Sequence, residues 1–301
     1  MNKLPVGQTI QYAYAFTFGQ IGTVIGLIWI PTLINAVASF FVLGGYYQAL
    51  ADSFESGVPP AGAQVLYPLL LAVLTMILLA MIGVAITQQA LGLRKGPAFA
   101  HFSLGTTELR VFGGFFGLYM LLVLFVFIFA IAAAGAGLAV SAASSAAPAP
   151  AMILGVALAA LAGLCALIYL ATRLSFLLVP SVLDGREFGL SRSWELTKGN
   201  FWRIFAVSLA TLLPIILIMG IAESAIMGPA FFVPDAAAQK NAAASLHQMA
   251  GQMRALQAHM PLLMGLSFVV SPLMYGLLFA PAAFAYRVLS GKAMLSSNGV
   301  G

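Results

Sequence analysis

Apolar residues run through this chain in long, nearly unbroken blocks separated by short polar stretches. A helix that crosses a bilayer needs about 20 mostly apolar residues. Six blocks reach that length: roughly 21–43, 67–93, 111–140, 151–183, 204–227 and 261–289. No two-residue alternation competes over comparable lengths. The pattern predicts an all-α, polytopic membrane helical bundle of about six transmembrane helices, plus short interfacial amphipathic helices. Residues 1–301 are expected to form a single integral membrane domain. The block 151–183 is too long for one untilted span. Pro31, Pro214, Pro272 and Pro281 fall inside blocks. Each predicts a kink, since proline lacks an amide and a neighbour must answer the freed carbonyl.

The polar stretches differ in character. Residues 44–65 carry Asp52, Glu55 and the turn sequence GVPPAG, and residues 141–150 are a small, uncharged connector. In 228–259, Leu246, Met249, Met253 and Leu256, followed by Met260 and Leu263, recur at alternating spacings of three and four. That spacing predicts an amphipathic helix leading into the sixth span, lying on the membrane surface or against another helix. Gln248, Gln252, Arg254 and Gln257 fall between the apolar positions.

Composition fixes the solvent. Hydrophobic residues make up 62% of the chain and charged residues 7%, where a soluble domain carries about 25% charged residues. Eight acids and thirteen bases cannot cover a water-exposed surface of this size, so the bilayer solvates most of it. The net charge of +5 sits in loops, not on a soluble domain, and excludes a nucleic-acid partner. With six spans, Lys3, Arg94, Lys95, Arg110, Arg186, Arg192, Lys198, Arg203, Arg287 and Lys292 share one side, with Arg173 towards it. Lys240 and Arg254 lie opposite. The positive-inside rule then places both termini in the cytoplasm of a bacterial cell, with the protein multi-pass in the inner membrane. The first block is too long for a cleavable signal core and is expected to be retained. Cys165 is the single cysteine, so no intramolecular disulfide forms.

The stretch from Arg173 to Arg203 concentrates charge between apolar blocks. Phe188–Trp202 reads as a helix with Leu190, Trp194 and Phe201 near one face and Arg192, Glu195 and Lys198 on another. The i,i+3 spacings allow a charge ladder, and Gly199-Asn200 ends the helix. Trp194 and Trp202 suit the headgroup level. The expected picture is a short helix flat on the inner leaflet. Its motif, Gly189-Leu-Ser191-Arg-Ser-Trp194, echoes Gly7-Gln-Thr9-Ile-Gln-Tyr12 before the first span. The echo predicts two short lead-in helices, each followed by a proline-kinked span.

The wording Arg173-x-Ser175, Pro180, Asp184-Gly185, Arg192-Ser193-Trp194-x-Leu196-Thr197-x-Gly199-Asn200-x-Trp202-Arg203 resembles a bacterial family. It is the family of the membrane domain of glycerophosphoryl diester phosphodiesterase and related uncharacterised polytopic inner-membrane proteins. The resemblance covers about thirty residues, extending weakly to the N-terminal GQTIQYAY and the six-span layout. It implies a polytopic helical fold, sometimes fused to a soluble phosphodiesterase. No such second domain is expected here, and the family supplies no catalytic residue.

Arg173 is the residue with the most chemistry. It stands before SFLLVPSVLD, at a depth where an ionisable group is costly. It either anchors a phosphate inside the bundle or snorkels to the interface while 175–183 bends along the surface. Glu223 is a candidate partner for Arg254 or a member of a proton relay. His247, Met249, Met253, His259 and Met260 have donor types that suit copper, but the methionines lie on the apolar stripe and the histidines off it, which packing explains. Cys165 and His101 stand alone. No catalytic residues, metal or cofactor are expected. A lipid-headgroup site is expected from Arg173, Arg186, Arg192, Trp194, Lys198, Trp202 and Arg203. The expected function is a non-catalytic inner-membrane protein that associates with membrane lipids, anionic headgroups above all, or with a partner membrane protein or a second copy. The alternative is a transporter or flippase-like protein for a lipid or other amphiphile.

Overall fold

The computed structural model describes residues 2–94, 99, 101–143, 150–185, 188–233 and 241–291. Among them the chain forms α1 (Val6–Gly19), α2 (Ile21–Ser56), α3 (Gly62–Ala90), α4 (Thr106–Ala143) and α5 (Pro150–Ser175). It continues with α6 (Leu178–Leu183), α7 (Leu190–Thr197), α8 (Phe201–Met227), α9 (Pro229–Phe232) and α10 (Ala242–Ser290), with no strand among the described residues. Among the described residues six segments are long and apolar enough to cross a bilayer: α2, α3, α4, α5 together with α6, α8 and α10. They coincide with the six apolar blocks. Lys95, Arg186, Lys240 and Lys292 lie outside the described residues.

Helix ends follow local chemistry. Ahead of α3, the Ala61 amide donates to Gln64 Oε1 at 2.8 Å. Ahead of α4, the Gly105 amide donates to Glu108 Oε2 at 2.9 Å. In each, a side chain three residues on reaches back to an amide at the helix start. Asn241 caps α10 by accepting from the Ala243 amide at 2.9 Å.

Two of the prolines show the rule for spanning helices, that freed carbonyls find partners. Pro214 leaves the Ala210 carbonyl without its amide, and the Tyr14 hydroxyl on α1 donates to that oxygen at 2.9 Å. Pro272 does the same to Phe268, whose carbonyl accepts from Ser271 Oγ at 2.9 Å. One answer comes from a neighbouring helix and one from the same turn.

α2 and α10 form the frame, packed side by side along much of their length. Their 36 and 49 residues correspond to about 54 and 73 Å at 1.5 Å per residue. A hydrocarbon layer is about 30 Å thick, so both extend past it. At the end of α2, Arg254 Nη1 and Nη2 donate to Glu55 Oε1 and Oε2, each at 2.7 Å, with Asp52 at 3.9 Å. The sixth span and its amphipathic leader are therefore one helix, unbroken at Pro261, because α2 gives the leader a protein surface to lie along. Met260 is buried and Met253 and Leu256 are half-buried, while Leu246 and Met249 stay exposed. Arg254 is held by Glu55 and Asp52, and not by Glu223, which makes no ion pair among the described residues.

The block 151–183 breaks in two. α5 stops at Ser175, and Leu177, Leu178, Val179, Ser181 and Val182 are all buried. α6 thus turns into the bundle between α3 and α4, instead of bending along the surface. Gly114 on α4 makes the room: a methyl group there would sit 2.7 Å from the Phe188 carbonyl oxygen and 3.1 Å from Leu178 Cδ2. The main core joins Val24, Leu27 and Ile28 of α2, Ile82 and Ile86 of α3, Leu178 of α6 and Phe279 of α10, among others.

Both lead-in helices are present, as the echoed motif predicts, but neither lies flat on a surface. α1 buries Thr9, Ala13, Phe16 and Thr17 against α10 and α8, and α7 buries Ser193, Leu196 and Thr197. Packing is dense where these short helices meet α2, α3 and α10 and sparse along α4. In the most apolar window of α4 only 6% is buried, so that span faces lipid or another protein on nearly all sides.

Candidate functional site

The end of the bundle that holds α6 and α7 also holds the basic residues. Its assembly begins with the C-terminus of α5, whose last carbonyls need partners. The Arg173 carbonyl accepts from Ser193 Oγ at 2.8 Å, and the Leu177 amide donates to the same oxygen at 3.3 Å. Ser193 and Thr197 stand one helical turn apart on the buried face of α7, so they reach α5 together.

The Arg173 side chain completes this joint. Nε donates to Thr197 Oγ1 at 3.2 Å, Nη1 to the Tyr169 hydroxyl at 2.8 Å and Nη2 to the Trp194 carbonyl at 2.6 Å. Its guanidinium carbon lies 3.6 Å from the Trp194 ring centroid, a cation–π stack. Arg173 is 5% exposed. It therefore does not snorkel, and its donor fork is turned on α7. The reason is local: α6 goes inward, so α7 closes over the arginine where the sequence suggested open interface.

The other predicted residues separate into two groups. Arg192 and Arg203 are engaged with the protein. Arg192 pairs with Glu195 at 3.4 Å, the first rung of the expected ladder. Arg203 Nη1 donates to the Leu4 carbonyl at 2.8 Å. Lys198 and Trp202 face outward. Lys198 is exposed and makes no ion pair among the described residues, so the Glu195–Lys198 rung does not form. Trp202 is 76% exposed, with Phe201 and Phe205 set edge-on to its ring. Trp194 is half-exposed over Arg173. Arg186 lies outside the described residues. The expected helix Phe188–Trp202 is shorter, because Gly199 at φ +75° breaks the chain after Thr197 and Phe201 opens α8.

Asn200 is the residue that the sequence reading passed over. It is 3% exposed. Its Oδ1 accepts from the Leu4 amide at 3.0 Å and its Nδ2 donates to the Asn2 carbonyl at 3.1 Å. This two-way amide clamp holds the N-terminal segment, and with it Lys3, beside the α7–α8 junction. Its position directly after a break glycine was the available signal, read only as a helix stop. Tyr169, four residues before Arg173, was legible as an i,i+4 neighbour.

Further bonds seal this end. Tyr286 donates to Asp184 Oδ2 at 2.7 Å, and Tyr12 to the Ala90 carbonyl at 2.5 Å. Arg287 Nη2 donates to the Leu91 carbonyl, placing a cation at the C-terminus of α3, where the helix dipole favours it. In the loop between α3 and α4, burial pushes the His101 imidazole below its usual range, with Arg94 adding to the shift and Glu108 opposing it.

Residues 4–289, nearly the whole chain, match the family model described as a domain of unknown function, DUF7847. The chain belongs to the DUF7847 family. No curated protein and no solved structure matches it. In this DUF7847 chain the basic end joins the N-terminal segment, α5, α6, α7, α8 and the end of α10, within the matched residues except for Asn2, Lys3 and the last residue of α10. No group of three or more His, Cys, Asp or Glu side chains comes together among the described residues.

Proposed function

We propose that this is a non-catalytic integral protein of the bacterial inner membrane that associates with anionic lipids, with both termini in the cytoplasm. The asymmetry of the two ends carries the reading. One end has Lys3, Arg94, Arg192, Lys198, Arg203 and Arg287. The other has Arg254, neutralised by Glu55 and Asp52. Bases collect on the cytoplasmic side of membrane proteins. Anionic lipids of that leaflet attract each by about 1 kcal/mol. The exposed cations Lys3 and Lys198 are brought to one place by the Asn200 clamp, and the exposed Trp202 ring suits the interfacial layer beside them. The open faces of α4 and α5 leave room for a partner membrane protein or a second copy.

Purification in mild detergent with lipid identification tests it. Anionic lipids are expected to be enriched over their share of the membrane. A copurified lipid pool that mirrors the bulk membrane would overturn the reading. A second reading, a transporter or flippase-like protein for an amphiphile, is favoured by a cavity in the seam between the proline-containing helices α2 and α10. A headgroup route past Arg173 is not favoured, since that guanidinium is enclosed.

A further inference from the structure

The cavity between α2 and α10 has a volume of about 280 Å³. Its α2 wall runs from Thr32 to Tyr47. Thr32 lies about 16 Å along the helix from Ile21 at 1.5 Å per residue. The cavity therefore begins near the middle of the apolar block and runs away from the basic end.

Its lining is polar without being charged. Thr32, Asn35 and Ser39 contribute from α2, and Ser267 and Tyr275 from α10. One of these presents an unmet donor to the cavity. Thr32 Oγ1 has no partner among the described residues, but it is fully buried and does not face the cavity space. Asn35 Oδ1 accepts from Thr75 Oγ1 on α3 at 2.7 Å. That bond fixes the amide, and Asn35 Nδ2 donates to nothing among the described residues. Asn35 lies at the inner end of the cavity, within the apolar block and away from bulk water, where an unmet donor is costly and calls for an acceptor. Among the apolar lining residues are Met260, Met264 and Met274, whose flexible thioethers adapt to chains of different shape.

We propose that this cavity binds a neutral lipid bearing an ester or carbonyl oxygen, of the diacylglycerol type. The oxygen accepts from Asn35 Nδ2, and an acyl chain lies among the methionines. No lining residue is a cation or a carboxylate, so a phosphate headgroup would be buried without a counter-charge, which is strongly unfavourable. The volume lies near the lower limit of ligand cavities, about 300–1,000 Å³. It fits a carbonyl region with part of one chain, the remainder passing into the bilayer. This site is separate from the anionic-lipid reading of the basic end, and the inference holds whether or not the bound lipid is moved.

The test uses the full chain in lipid nanodiscs with two photoreactive probes, a diacylglycerol and a phosphatidylglycerol, each with a diazirine on the same acyl chain. Peptides labelled after illumination are mapped by mass spectrometry. The diacylglycerol probe is expected to label residues 256–275 at least fivefold more than the phosphatidylglycerol probe, and unlabelled diacylglycerol should compete. Asn35→Leu should cut that labelling at least fivefold and leave labelling of the exposed α4 face unchanged. Met264→Trp fills the cavity without touching the Asn35–Thr75 bond, and should give the same loss if the first variant fails to fold. Equal labelling by both probes, no competition, or full labelling in the folded Met264→Trp variant would overturn the proposal, leaving ordinary surrounding lipid as the occupant.

Discussion

At the scale of single residues, Arg173 shows how a costly charge is kept in an apolar protein. No carboxylate pairs with it among the described residues. Three hydrogen-bond acceptors and the Trp194 ring take the place of a counter-ion. Planarity and the forked donors are essential to that arrangement, and lysine has neither. Arg173→Lys is therefore expected to destabilise the protein by about 1–3 kcal/mol, from the lost stack and the unmet acceptors. Trp194→Leu should cost a similar amount, and the double variant less than the sum, because the two changes break one joint. Chemical unfolding in detergent followed by circular dichroism checks this. Full additivity would mean that the stack contributes nothing. The sequence singled out Arg173 as the residue with the most chemistry, and the structure buries it, but its environment depends on where the chain goes after Ser175. The continued apolar run of 176–183 fits a surface bend and a buried turn equally well. Only the space left by Gly114, a feature of another helix, decides between them.

At the scale of elements, the spans were legible because the bilayer imposes one rule, length and apolarity, that local sequence states openly. Their joints were not. Tyr14 meets the Ala210 carbonyl across a separation of 196 residues, and no local pattern announces such a pairing. Pro214 alone announces that some partner must exist. Tyr14→Phe is expected to cost about 0.5–1.5 kcal/mol, towards the lower end for a bond between membrane helices. The loss should shrink in a Pro214→Ala background, where the restored amide at 214 answers Ala210 itself. An equal cost in both backgrounds, measured by thermal unfolding in detergent, would show that the hydroxyl serves another purpose. The α10 leader is the converse case. Its methionine stripe gave the helix and its amphipathicity, but a partner helix as long as α2 could not be read from the apolar block 21–43, which ends well before Ser56. The polar residues after 43 look like loop until the two helices are seen to continue together outside the hydrocarbon layer.

At the scale of the whole molecule, charge distribution and packing tell the same story. The buried short helices α6 and α7 and the clamp on the N-terminal segment all lie at the basic end, while α4 and α5 spread into the bilayer. The proposed orientation rests on that asymmetry. In a Cys165→Ser background, cysteine at Ser191 should resist a membrane-impermeant maleimide added to intact cells, and cysteine at Ala242 should react. The reverse pattern would invert the topology. The central claim is that the basic end holds anionic lipid through its exposed cations, since Arg173, Arg192 and Arg203 are engaged with the protein. Native mass spectrometry of retained phosphatidylglycerol tests it most directly, comparing the wild type with Lys3→Glu/Lys198→Glu and, as a control at the far end, Arg254→Gln. Each cation contributes about 1 kcal/mol and each reversal adds repulsion. Retention should therefore fall about tenfold or more in the double variant and stay unchanged in the control, with the bundle intact. Unchanged retention in the double variant, or an equal fall in the control, would contradict the account and reduce the basic end to a topology signal.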